Sequence, residues 1–191
     1  AHTHAHADHV AGDAWFRYRA GVTMVGTDSA SVHRFFGLDA PGGAGGANAS
    51  DAAHAAPFDL GGRVLDVLAI PGHEPASIAV YDRATGVLLT GDTFYPGRLY
   101  VEDAAAFAAS VSRLVAFTAT RPVRAILGTH VEQTRTPYVD YPAGTRDQPA
   151  EDSLPLSRAE LVALDAALRA MGAMGGRVVR RGLARFTIEP L

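Results

Sequence analysis

Apolar residues fall along this chain in two recurring patterns: short unbroken runs, and wider stripes at helical spacing. The runs at residues 63–70, 77–82, 87–90 and 125–127 are rich in Val, Leu and Ile, and each predicts a buried strand. Residues 82–86 between two of them predict a turn, with Gly86 supplying the awkward backbone angles. After Asp103, the residues Phe107, Val111, Leu114 and Val115 recur at helical spacing and predict a helix to about residue 119 with that set as its core face. Ser157 and Glu160 form a capping box for a helix ending near Gly172, with Leu161, Leu164 and Leu168 facing inward. Asp28 caps a further helix to about Phe36, which carries His33 as a surface or packing residue. Weaker patterns predict a helix over 13–19, with Trp15, Phe16 and Tyr18 in core and rim, and a short strand over 23–25. Closing strands are expected at 178–179 and 184–188.

Residues 41–57 break both patterns. This stretch of Gly, Ala, Asn and Ser cannot bury enough apolar area to order itself, so it is expected to be a flexible surface loop, with a mobile flap near a site as the second reading. His54 within it is not counted as a ligand. At 191 residues the chain is expected to be one α/β domain, 1–191, long enough for a sizeable core. Net charge is −3, and the one Arg cluster, 177–181, reads as a solvated strand end, so no nucleic-acid partner is expected. No stretch approaches the roughly 20 apolar residues of a membrane span. Zero cysteines rule out disulfides without fixing the compartment. Location is not readable; a soluble, cytoplasmic chain is favoured over a periplasmic or secreted one. The sequence leaves a homo-oligomer open.

Candidate chemistry sits at the ends of the runs. Three segments share one grammar of apolar run, glycine and ligand-type residue: Gly72-His73, Gly91-Asp92 and Gly128-Thr129-His130. Each glycine lets the backbone turn sharply or approach closely, so the ligand is delivered at a sheet edge on a rigid support. Ahead of them stands Thr3-His4-Ala5-His6-Ala7-Asp8-His9. On an extended backbone His4 and His6 share one side, and a turn after them can swing Asp8 and His9 toward a neighbouring point. Two adjacent clusters of nitrogen and oxygen donors suit a pair of borderline metal ions such as zinc. A tag remnant would be uninterrupted histidine, without the interleaved Ala and Asp.

The ordered set His4, His6, Asp8, His9, His73, Asp92 and His130 resembles the metallo-β-lactamase-fold hydrolases, whose motif His-x-His-x-Asp-His is met residue for residue. The resemblance implies an αββα sandwich with a dinuclear site at one edge. It implies that His4, His6 and His73 bind one metal, that Asp8, His9 and His130 bind the other, and that Asp92 bridges them. Family members place several strands before the motif, so the chain is expected to be N-terminally truncated, with an uncovered edge and a lower melting midpoint than a full-length relative. Glu74 stands where many relatives have Thr, as a partner orienting an imidazole or as a solvent-facing charge.

The expected function is a dinuclear zinc hydrolase, two Zn2+ per chain, cleaving an ester, thioester, lactone or related bond in a small-molecule substrate. Asp92 would hold the metal spacing and Asp8 would orient the nucleophile as well as ligate. In the loop after Asp92, Tyr95 would donate to an oxyanion or leaving group, and Arg98 would bind a substrate carboxylate. The segment 131–142 is expected to form the other wall of the pocket. His6 replaces the glutamate of redox diiron relatives, and the lack of cysteine removes the lactamase subgroup with a Cys ligand. The set is similar to the glyoxalase II and lactonase branches, yet the extra helical domain of glyoxalase II has no room here. The rivals are a mononuclear iron persulfide dioxygenase of the same fold, which makes Fe the alternative cofactor, and an inactive truncated fragment.

Overall fold

The computed structural model describes residues 1–39, 55–173 and 181–191. Five strands, β1 (Ala56–Asp59), β2 (Val64–Ala69), β3 (Ile78–Asp82), β4 (Val87–Gly91) and β6 (Ala125–Gly128), form one sheet in the order β1-β2-β3-β4-β6. Strands β1 to β4 are antiparallel neighbours, whereas β4 and β6 run parallel. A parallel pair needs a long crossover. It is supplied by β5 (Arg98–Val101) and helix α3 (Ala104–Thr118). Strand β5 pairs in parallel with β8 (Thr187–Pro190), which also holds β7 (Arg181–Gly182), in a second, three-stranded sheet.

Alternation along the strands sends side chains to two cores. Leu68, Ile70, Ala79 and Tyr81 join the larger one, with Leu88, Phe107, Val111, Leu114 and Ile126. Helix α4 (Arg158–Ala173) adds Leu161, Leu164 and Leu168, and the small sheet adds Leu99, Val101 and Ile188. Val67, Ala69 and Ile78 face the other way, onto a smaller core with Val32 of α2 (Ser29–Phe36), Val25 and Leu38. A strand buried on both faces reads as an unbroken apolar run, which is why these strands lacked visible alternation.

The capped helices form where the sequence places them. Asp28 accepts the Ser31 amide at 2.9 Å, Asp103 accepts the Ala106 amide at 2.9 Å, and Ser157 and Glu160 bond reciprocally at 2.7 and 3.2 Å. Other expectations are corrected. Residues 13–19 form only a 3₁₀ turn, Asp13–Trp15, and Trp15 and Tyr18 are 75% and 92% exposed. Trp15 and Tyr18, three apart, would share a helix face, but no residue of this turn is buried, so that face meets no core to hold a helix. Residues 23–25 join neither sheet. Of the stretch 41–57, residues 40–54 lie outside the described residues, but Ala56 and Pro57 belong to β1, opposite Val67 and Asp66. Pro57 is tolerated because β1 is an edge strand. The pair 178–179 and most of the Arg cluster 177–181 also fall outside the described residues. The last strand starts at Thr187 rather than 184, because the Leu183 amide closes a turn onto the Phe186 carbonyl at 2.7 Å.

Candidate metal centre

All the ligand-type residues named from the sequence come to one end of the larger sheet. Helix α1 (Ala7–Val10) provides the turn after His6 that carries Asp8 and His9 inward. His73 follows β2, Asp92 follows β4 and His130 follows β6. Gly72 makes the first delivery tight. Its φ is 132°, and a Cβ there would lie 2.3 Å from the Phe107 backbone, so only glycine lets α3 pack against this turn. The Gly72 carbonyl then accepts the amides of Glu102 and Asp103 at 2.9 and 3.0 Å.

The donors form two groups, His4, His6, His73 and Asp92, and Asp8, His9, Asp92 and His130, with the donor atoms of each within 4.8 Å of one another. In the first, His6 Nδ1 lies 3.1 Å from Nε2 of both His4 and His73, and these lie 3.7 Å from Asp92 Oδ2. In the second, Nε2 of His9 and His130 lie 3.3 and 3.2 Å from Asp92, and 3.6 and 3.4 Å from Asp8 Oδ2. Four ligands placed tetrahedrally at about 2.0–2.2 Å from an ion are separated by about 3.3–3.6 Å. The spacings therefore fit metal ligation, and imidazole nitrogens with carboxylate oxygens and no thiolate fit a borderline ion.

Electrostatics agree with that use. Burial lowers His4 to a pKa of about 4 and lowers His73 too, so both are neutral near pH 7 with a lone pair free. Burial pushes Asp92 up, but hydrogen bonds from His130 and Thr129 prevail and hold it well below the usual carboxylate range. The same bond to Asp92 raises His130 against the effect of burial. His73 Nδ1 is 2.9 Å from the Tyr100 carbonyl, which fixes the ring with Nε2 toward Asp92. Nδ1 of His4 and of His9 each lie 3.2 Å from Thr3 Oγ1.

A cleft of about 390 Å³ opens beside the donors, lined by His6, Asp8, His73, Asp92, Tyr95, Tyr100, His130, Glu132 and Leu191. The Tyr95 ring lines it, while its hydroxyl donates to the Arg98 carbonyl. Each guanidinium nitrogen of Arg98 donates within the protein: Nε to Tyr100 at 3.0 Å, Nη1 to the Tyr141 carbonyl at 2.7 Å, Nη2 to Glu132 at 2.8 Å. The carboxylate-binding role expected of Arg98 thus meets a guanidinium already committed behind the wall. Glu74 accepts the Ala76 amide at 2.8 Å, closing its own turn. His33 pairs with Asp39 at 2.7 Å, away from the centre, and His54 lies outside the described residues. Sequence reasoning missed Thr129, which donates to Asp92, and Glu132, which braces Arg98. Thr129 had one signal, its place between Gly128 and His130.

The model of the metallo-beta-lactamase superfamily matches residues 2–172, and the chain belongs to that family. It is 31% identical over 117 residues to a hydroxyacylglutathione hydrolase of Rhizobium meliloti (strain 1021), covering 60% of this chain and 41% of that protein. A second such hydrolase, from Methylococcus capsulatus, is 31% identical over 124 residues, covering 63% and 44%. The chain thus spans less than half the length of these curated relatives. Among solved structures it is similar to a metallo-beta-lactamase from Pontibacter korlensis, with TM-score 0.53 and 16% identity over 88% of this chain and 67% of that one. It is also similar to ETHE1 from Myxococcus xanthus, with TM-score 0.50 and 22% identity over 88% and 61%. At these identities the likeness is one of fold, the α/β metallo-β-lactamase type expected from the sequence.

Proposed function

We propose that the chain carries a dinuclear metal site, with zinc in both positions, and acts as a hydrolase on an ester, thioester or lactone of a small molecule. The observation that carries this reading is the sharing of Asp92: one buried carboxylate completes both donor groups. His4, His6 and His73 would hold the first ion and Asp8, His9 and His130 the second, with Asp92 between them. Two such ions lower the pKa of a bound water toward neutrality and act as Lewis acids on developing oxyanion charge. Asp92 would set their spacing, and hydrogen bonds from Thr129 and His130 keep it ionised. Asp8, well exposed at the cleft, would accept a hydrogen bond from a water there and orient it. The rings of Tyr95 and Tyr100 offer a wall for the substrate. The names of the curated relatives support the hydrolytic reading.

Elemental mass spectrometry of the purified chain, with turnover of a thioester and lactone panel, tests the proposal. About two zinc per chain and turnover lost with both metals in Asp92→Ala is the expected result. An Asp92→Ala chain that keeps its metal and turnover overturns it. A second reading takes His4, His73 and Asp92, the donors of the first group other than His6, as a two-histidine, one-carboxylate set suited to a single iron and oxygen chemistry. About one iron per chain with oxygen uptake on persulfides would select that reading.

A further inference from the structure

We propose that Thr3 is a positioning residue that sets the imidazoles of both metal groups with one hydroxyl. The inference rests on the metal-centre reading above. Thr3 Oγ1 lies 3.2 Å from Nδ1 of His4 and 3.2 Å from Nδ1 of His9. The opposite nitrogens of these rings face Asp92, His4 Nε2 at 3.7 Å and His9 Nε2 at 3.3 Å. A hydroxyl oxygen has two lone pairs, so it can accept one N–H from each ring. An imidazole that donates through Nδ1 is fixed in the tautomer whose Nε2 lone pair points to a metal. His4 belongs to the first group and His9 to the second. One oxygen atom therefore orients a ligand on each side of Asp92.

The position of Thr3 is itself determined. Its carbonyl accepts the Ile78 amide at 2.8 Å, tying it to the start of β3. Its side chain fills the space left by Gly91, where an added Cβ would lie 2.8 Å from Thr3 Cβ and 2.9 Å from Oγ1. Gly91 directly precedes Asp92, so Thr3 is packed against the stretch of backbone that delivers Asp92. The rings of His73 and His6 are served differently. His73 has the Tyr100 carbonyl, and His6 presents Nδ1 itself to the other donors.

Thr3→Val keeps the shape and removes the acceptor, whereas Thr3→Ser keeps the acceptor and removes the methyl group. Zinc affinity of the full chain, read by competition with a chromophoric chelator, should fall by about 10–100-fold for both metal equivalents in Thr3→Val. Thr3→Ser should stay close to the parent. Equal affinity in Thr3→Val and parent, an effect on one equivalent alone, or a Thr3→Ser chain as weak as Thr3→Val would each overturn the proposal. If Thr3→Val fails to fold, the parent decides by nitrogen-15 spectra of its zinc-loaded histidines. Nδ1–H on both His4 and His9 supports the proposal, and Nε2–H on either overturns it. A parent chain that takes up no zinc overturns the metal-centre reading itself, a result distinct from all of these.

Discussion

At the residue scale, the site is a set of opposed pKa displacements. Burial holds His4 near a pKa of about 4 and lowers His73, against an ordinary value of 6.5. In the metal-free chain both stay neutral where the unfolded chain would bind protons, so acidification from about pH 6.5 toward pH 4 favours unfolding. His130 opposes this, because its raised pKa gives stability that is full below 6.5 and lost as pH rises through its folded value. Asp82, held low by hydrogen bonds from Arg63 and Thr85, and Asp92, held low by His130 and Thr129, lose their contribution only as pH falls below the ordinary carboxylate value. With two lowered imidazoles against one raised, the metal-free thermal midpoint should be lower at about pH 5 than at about pH 7. A higher midpoint at the acid end would contradict the burial argument. Thr129→Val removes a donor from Asp92, so a carboxylate-resolved titration of the metal-free chain should show that group ionising at higher pH. The seven metal-type side chains were legible because residue type and order suffice to mark them. Thr129, Tyr100 and Glu132 were not, because their roles come from contacts across the fold: Thr129 meets Asp92 37 positions away, and Tyr100 meets His73 27 away.

At the element scale, local chemistry settled the helices, and tertiary context settled the edges. Asp28, Asp103 and Ser157 cap as expected because a cap needs only its own first turn. Asp103→Ala should cost about 1 kcal/mol in urea unfolding, the usual worth of an N-cap. Residues 13–19 and 23–25 failed as elements because neither has a sheet or helix face to complete, and short segments without one do not hold. The turn at Gly72 binds His73 to the start of α3. Gly72→Ala should cost about 3 kcal/mol by the same measurement, combining backbone strain with overpacking against Phe107. A loss below about 1 kcal/mol would mean that α3 can retreat without consequence.

At the scale of the whole molecule, two cores of unequal size lie on opposite faces of one sheet. Leu114→Ala, in the larger, should cost about 2–5 kcal/mol, the range for a buried leucine whose site cannot collapse. The N-terminal segment draws little from either core: α1 buries no residue, and the Thr3–Ile78 bond ties the segment to the sheet. Ligation would add what packing does not. Saturating zinc should slow amide hydrogen exchange over residues 4–10 and raise the melting midpoint, by about 2.7 kcal/mol of added stability at a hundredfold excess over Kd. Exchange unchanged by zinc would leave the segment without that anchor. The donors after the N-terminal cluster stand at the exits of strands β2, β4 and β6, whereas Tyr95, Tyr100, Glu132 and Leu191 reach the cleft from beyond those exits. The two sets can therefore diverge at different speeds. A descendant could rewrite its cleft walls while the sheet went on presenting the same donors, so that the substrate could change around an unchanged set of ligands.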